Sequence, residues 1–209
     1  FLLDLAYAAW QATGWRRRDP TLARAAPWAA CGFVLTTVWM PLFSQELFWA
    51  CLAVIFGALA CLVRCALLLT RHPARGGRAP AWARVPLSLH AGWLTLAAFL
   101  NLAQVIVAYE LLPSDRQLPW SLVLWAAAAA TLLVLNHRMR GNLAYVAAVL
   151  WGLVAVAVRQ WGHALPGADT SAWIAAGLAV VLAVQTAVLR HRRDGRHTLP
   201  ARPLSPVGK

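Results

Sequence analysis

Acidic side chains are nearly missing from this chain. Seven Asp and Glu occur in 209 residues, and charged residues of either sign make up only 12%, about half the share usual in a soluble domain. Asp4, Glu46, Glu110, Asp115 and Asp169 fall at or near one side of the apolar segments, while Asp19 and Asp194 sit in basic loops on the other. No pair of carboxylates shares a segment, so acid–base catalysis of the two-carboxylate kind has no support. No Asp, Glu or Lys is expected mid-segment, which argues against a proton-coupled pump. The patterns GxSxG and HExxH are missing too, so neither the serine-hydrolase elbow nor the zinc-protease helix is indicated. No inverted repeat stands out, which disfavours a secondary transporter. The chain also lacks an initiator Met and a basic leader. It opens on Phe1 inside an apolar run, and the beginning of that first segment is expected to be missing.

What the chain does have is apolar surface. It is 61% hydrophobic with a mean hydropathy of +0.60. A core of this size cannot hide that much, so lipid must cover the outside. Lipid offers the backbone no hydrogen-bond partner, so the spans are expected to be helices. Continuous rather than alternating apolar runs exclude a barrel. The fold class is therefore an all-α integral membrane bundle of about seven segments. They run from Phe1 to about Thr13, then about 25–43, 46–70, 86–110, 119–135, 142–161 and 171–190. The first is too short for a ~30 Å hydrocarbon core. The tail 191–209 is basic and expected to be flexible.

The net charge is +12, nearly all of it arginine. Clusters fall in GWRRRDPTLAR, RHPARGGRAPAWAR, HRMRG and the tail, with Arg64 able to snorkel to the same side. Seventeen cations lie on one side, and only Arg116 and Arg159 on the other. That is the positive-inside pattern, and it puts the C-terminus in the cytoplasm. Anionic lipid headgroups on the cytoplasmic side are expected partners. Nucleic acid is not, because the base is spread over four loops with no aromatic platform.

Eight of the twelve Trp residues (10, 15, 28, 49, 82, 120, 161, 173) lie near segment ends and read as interfacial anchors. Trp39, Trp93, Trp125 and Trp151 sit deeper and need a packing partner or a pocket. In segment four, His90, Trp93, Ala97, Asn101 and Gln104 are spaced three, four, four, three and share one helical face. In segment two, Gly32, Thr36, Trp39 and Phe43 do the same. Leu94, Leu96, Phe99, Leu100, Val105 and Ile106 cover the rest of segment four, suited to lipid or tight packing. Gly32, Gly92, Ala97 and Ala98 would let helices approach closely or leave room for a flat ligand. Two readings stay open: the polar stripes bond helices together, or they line a small-molecule pocket.

Two stretches resemble a known family. VLTTVWMPLF, with Trp39, Pro41, Leu42 and Phe43, and RVPLSLHAGWLTLAAFLN, with Val85, Pro86, Trp93, Ala97 and Asn101, are similar to the TspO/MBR family, the tryptophan-rich sensory proteins. Thr36 stands where that family has Asn, and His90 where it has Tyr. The resemblance implies TspO-like helices over 1–111, three additional C-terminal helices over 112–190 as in longer bacterial-type relatives, and the tail 191–209. The family's first helix and its Pro-rich outer loop have no counterpart in the sequence. Residues Thr36, Trp39, Phe43, His90, Trp93, Ala97 and Asn101 are then expected to line a ligand site in the outer half. The implied ligand is a tetrapyrrole (porphyrin or haem) or a sterol-like molecule, in a sensory or transport-related role. His90 is a candidate axial haem ligand or a hydrogen-bonded core residue. The implied location is a bacterial inner membrane, with a homodimer left open. A pigment-degrading enzyme is a third reading, and a non-binding membrane scaffold the main alternative.

Cys31, Cys51, Cys61 and Cys65 include no CxxC pair. They read as small, soft, buried residues rather than a metal site, and disulfides are not expected.

Overall fold

The computed structural model describes residues 2–12, 20–71, 79–113, 117–162 and 167–197. The loop clusters around Arg16–Arg18 and Arg75–Arg78, Asp115 with Arg116, and the last twelve residues lie outside the described residues, as do the structure of Trp15 and the side chain of Trp82. Among the described residues there are seven helices: α1 (Leu2–Ala12), α2 (Pro20–Ser44), α3 (Phe48–Arg71), α4 (Ala79–Ala108), α5 (Gln117–Arg138), α6 (Leu143–Gln160) and α7 (Ala168–His197). All but α1 are long and apolar enough to cross a membrane. The protein is a helical membrane bundle. The 11 residues of α1 amount to roughly 16 Å of helix, about half a hydrocarbon core.

Local chemistry marks the helix ends. Pro20 opens α2, where its fixed φ suits the first helical position and its missing N–H costs nothing. Further in, α2 runs through Pro27 and Pro41, and α4 through Pro86; helices in lipid keep such prolines because neighbours and side chains satisfy the freed carbonyls. Three ends close with a left-handed residue that is not glycine: Glu46, Glu110 and Arg140. At Glu46 the next amide, Leu47, reaches back to the Leu42 carbonyl at 3.0 Å, and at Glu110 Leu111 reaches Ile106 at 3.0 Å. These bonds satisfy carbonyls that the last turn leaves open. Asn142 caps α6, accepting from the Ala144 amide at 3.1 Å.

The central helix is α4. It packs against α3 and α6 along most of its length and also meets α1, α2 and α5; α2 lies on α3, and α7 on α6 and α5. Leu94, Leu96, Val105 and Ile106 are accordingly buried, so this part of α4 serves tight packing and not lipid contact. Two glycines expected to allow close approach do so, but not toward each other. A methyl group on Gly32 would come within 2.8 Å of Leu62 on α3, and one on Gly92 would run into the Tyr145 carbonyl on α6. The space between α2 and α4 is not a closed seam: these two helices barely touch.

One end of the bundle is poor in arginine. There Phe48 and Trp49 of α3 meet Tyr109 just beyond α4, with Trp49 stacked on it at 5.8 Å, and Trp161 meets Trp173 at 5.1 Å. At the other end the Arg64 guanidinium sits 4.8 Å over the Trp28 ring, a cation–π contact where snorkelling was expected. Helix α7 continues through His197, into the stretch expected to be flexible tail.

Candidate functional site

A cavity of about 600 Å³ opens between α1, α2, α3 and α4, within the size range of small-molecule sites. Thr36 and Trp39 come to it from α2, and His90, Trp93 and Ala97 from α4. The three- and four-residue spacings that put them on common helical faces also put those faces opposite each other. A second hollow of about 620 Å³ lies on the other side of the first turn of α1, toward α6, and His90 and Trp93 line both. Trp93 is 50% exposed and Trp151, which lines the second hollow, 71%. Of the two settings expected for a deep indole, a packing partner or a pocket, Trp151 has the pocket.

The polar feature of the cavity is a carboxylate–imidazole pair. Asp4 Oδ2 lies 2.9 Å from His90 Nδ1, and both side chains are largely buried. Since α1 lies along α4, Asp4 sits at the depth of His90 and not at the segment's outer edge as the sequence reading had it. Phe33 lies against the His90 ring at 5.7 Å, and Tyr7 meets Phe33 edge-on at 6.2 Å. The imidazole is thus held on one side by a carboxylate and on another by an aromatic wall. Nδ1 faces the Asp4 carboxylate, which leaves Nε2 as the ring nitrogen for a metal-bearing ligand.

Two expected lining residues are elsewhere. Phe43 stacks on Trp39 at 4.8 Å and passes the contact on to Phe48 at 5.5 Å. It supports the Trp39 indole from behind and does not line the cavity. Asn101 is on the predicted face but one turn beyond the cavity, 5% exposed, and its Oδ1 has no partner among the described residues. Thr36 lines the wall, and its hydroxyl donates to the Gly32 carbonyl of its own helix at 2.8 Å. Gln104 is exposed. The indole N–H of Trp39 is buried without a partner among the described residues.

Residues 1–188 match the model of the TSPO-like protein family. The chain belongs to that family. The match takes in α5, α6 and most of α7 as well as the helices that carry the Trp39 and Trp93 motifs. No curated protein and no solved structure matches the chain.

In this TSPO-like chain the sequence reading missed Asp4, Phe33 and Tyr7. A signal existed for the first: an acid inside an apolar run, three residues before Tyr7 and so on the same face of a helix. Among the described residues no three His, Cys, Asp or Glu side chains gather as a metal site. All four cysteines are free thiols; Cys31 is exposed and the other three are buried. Cys65 donates to the Ala25 carbonyl at 3.3 Å, linking α3 to α2.

Proposed function

We propose that this TSPO-like membrane protein binds a hydrophobic planar small molecule, of the tetrapyrrole or sterol-like class, in the cavity between α1, α2 and α4, in a sensory or transport-related role. What supports the reading is that five of the seven candidate residues line that one cavity. Trp39 and Trp93 offer aromatic faces for a flat ligand, Ala97 leaves room for it, and the partnerless Trp39 N–H offers a donor to a carbonyl or carboxylate edge. The Asp4–His90 pair adds a polar grip in a largely apolar wall. For a metal-bearing tetrapyrrole, His90 is the residue that would reach the metal, and Asp4 would orient its ring. In the same proposal the arginine-rich end and the C-terminus face the cytoplasm of a bacterial cell, against anionic headgroups.

The test is a titration of the purified protein with protoporphyrin, haem and a sterol, followed by tryptophan fluorescence. Saturable quenching is expected, weakened in Trp93→Leu and Trp39→Leu. Quenching that is absent, or identical in both variants, overturns the proposal. The scaffold reading keeps one observation on its side: several intramembrane polar groups, among them Asn136 with Gln185 and Asn142 with Ser88, bond helix to helix. A protein that binds none of the three ligands yet melts lower when those pairs are broken would favour it.

A further inference from the structure

A separate cavity of about 220 Å³ lies on the far side of α4, between α4, α5, α6 and α7, at the arginine-poor end. It is narrow and runs along one stripe of α5. Gln117, Ser121, Leu124 and Ala128 succeed one another at helical spacing down its wall, a length of roughly 16 Å. Its chemistry is graded along that length. At the helix ends Gln117, Ser121, Gln160 and Ser171 gather; deeper in, the walls are Leu96, Phe99, Leu124, Trp125, Ala128 and Val156. No described residue lining it carries a charge.

Trp120 stands one turn into α5, where the polar rim gives way to the apolar shaft. Its indole N–H is buried and has no partner among the described residues. A buried donor without an acceptor is unfavourable, and no described residue accepts this one. The floor under the rim is tightly built. Gly167 has a φ of +85°, and a side chain there would meet Leu118 at 2.9 Å. The cavity has a lateral opening, because Leu100 on α4 and Leu118 on α5 line it and are both exposed, and α4 and α5 meet along only a short seam.

From these features we infer that this cavity holds one acyl chain of a membrane glycerolipid, with the chain's ester carbonyl accepting the Trp120 N–H. About 220 Å³ spread along roughly 16 Å of helix suits a chain and not a flat ring system. The described rim residues carry no charge, which suits an ester and offers a carboxylate no counter-charge. The opening faces the hydrocarbon, so the chain enters sideways from the bilayer. The height also fits: tryptophan near a helix end sits at the headgroup level, where the esters of a glycerolipid lie. The site is independent of the α1–α4 cavity and of whatever that cavity binds.

The experiment reconstitutes the full chain in phosphatidylcholine nanodiscs doped with a photoactivatable phosphatidylcholine carrying a diazirine in one chain, linked either as an ester or as an ether. Adducts are mapped by peptide mass spectrometry. With the ester lipid, adducts should concentrate on α5 residues 120–128 and α4 residues 96–103, well above those on the lipid-facing stretch around Val180 and Val181 of α7. The ether lipid lacks the carbonyl and keeps only a weaker ether acceptor set at a different position, so it should label these segments roughly three- to tenfold less, the effect of one buried hydrogen bond. Trp120→Phe should bring the ester lipid down to the ether level while the surface adducts on α7 stay constant, and Trp161→Phe should change nothing. Ala128→Phe, which fills the shaft, should remove the adducts; Trp120→Phe keeps the test decisive if that variant misfolds. Equal labelling by ester and ether lipids with no response to Trp120→Phe, or adducts spread evenly over all exposed helices, would overturn the assignment.

Discussion

The two sides of α4 are built in different ways. Toward α6, Ser88 accepts from Asn142 at 2.8 Å and Thr95 accepts from Tyr145 at 3.3 Å, with Gly92 between them letting the helices touch. Behind that seam Asn136 of α5 donates to Gln185 at 2.6 Å and to Thr186 at 3.0 Å on α7, and Gln185 donates back to the Leu133 carbonyl. Toward α1 and α2 the same helix presents His90, Trp93 and Ala97 to an open space, with Asp4 as the polar partner. At ~100° per residue the set 88, 92, 95 and the set 90, 93, 97 point in opposite directions. Polar groups in lipid are turned inward in both cases. What differs is whether a complementary side chain meets them. Where one does, the helices are sewn together; where apolar and aromatic groups stand back, a cavity remains.

The comparison breaks most visibly at Gly92. Gly92→Leu forces α6 away from α4 and should lower stability by about 3 kcal/mol, read as a large drop in melting temperature in detergent. If the variant melts like the parent, the α4–α6 seam is not the rigid side of the molecule. A step smaller is Asn136→Leu, which leaves Gln185 and Thr186 without their donor. A loss of about 1–2 kcal/mol is expected, with ligand titrations on the opposite side of α4 unchanged. Asp4→Asn sharpens the other side: ligand affinity should fall several-fold while the melting temperature stays within a degree or two, since a cavity wall contributes little packing. A large melting shift with intact binding would make the pair structural. Smallest is Thr36→Val. Its hydroxyl already bonds within α2, so stability should move by less than about 0.5 kcal/mol and binding should not respond.

Particular residues show how far the chain could be read in advance. The bundle and its long helices were legible, because crossing a bilayer is a property of a window of roughly 20 residues and of nothing beyond it. The faces were legible too: Thr36, Trp39, His90, Trp93 and Ala97 share a cavity because helical periodicity fixes direction locally. Asn101 and Phe43 lie off the cavity because a face has a length, and nothing local says where a cavity along it stops. The sewing residues Ser88, Thr95, Tyr145 and Asn142 were passed over because each alone is unremarkable in a span and acquires a role only from its partner about fifty positions away.

The amino-acid sequence by itself therefore determined that the chain is helical, that it belongs in lipid, and which residues of α2 and α4 share a face. Those outcomes follow from transfer energies and a backbone repeat that every segment carries alone. Only the tertiary structure decided that Asp4 faces His90, that Gly92 serves α6 and not α2, and that Trp120 keeps an unanswered N–H. Each depends on which neighbour arrives at what height, a choice made by the packing of whole helices against one another.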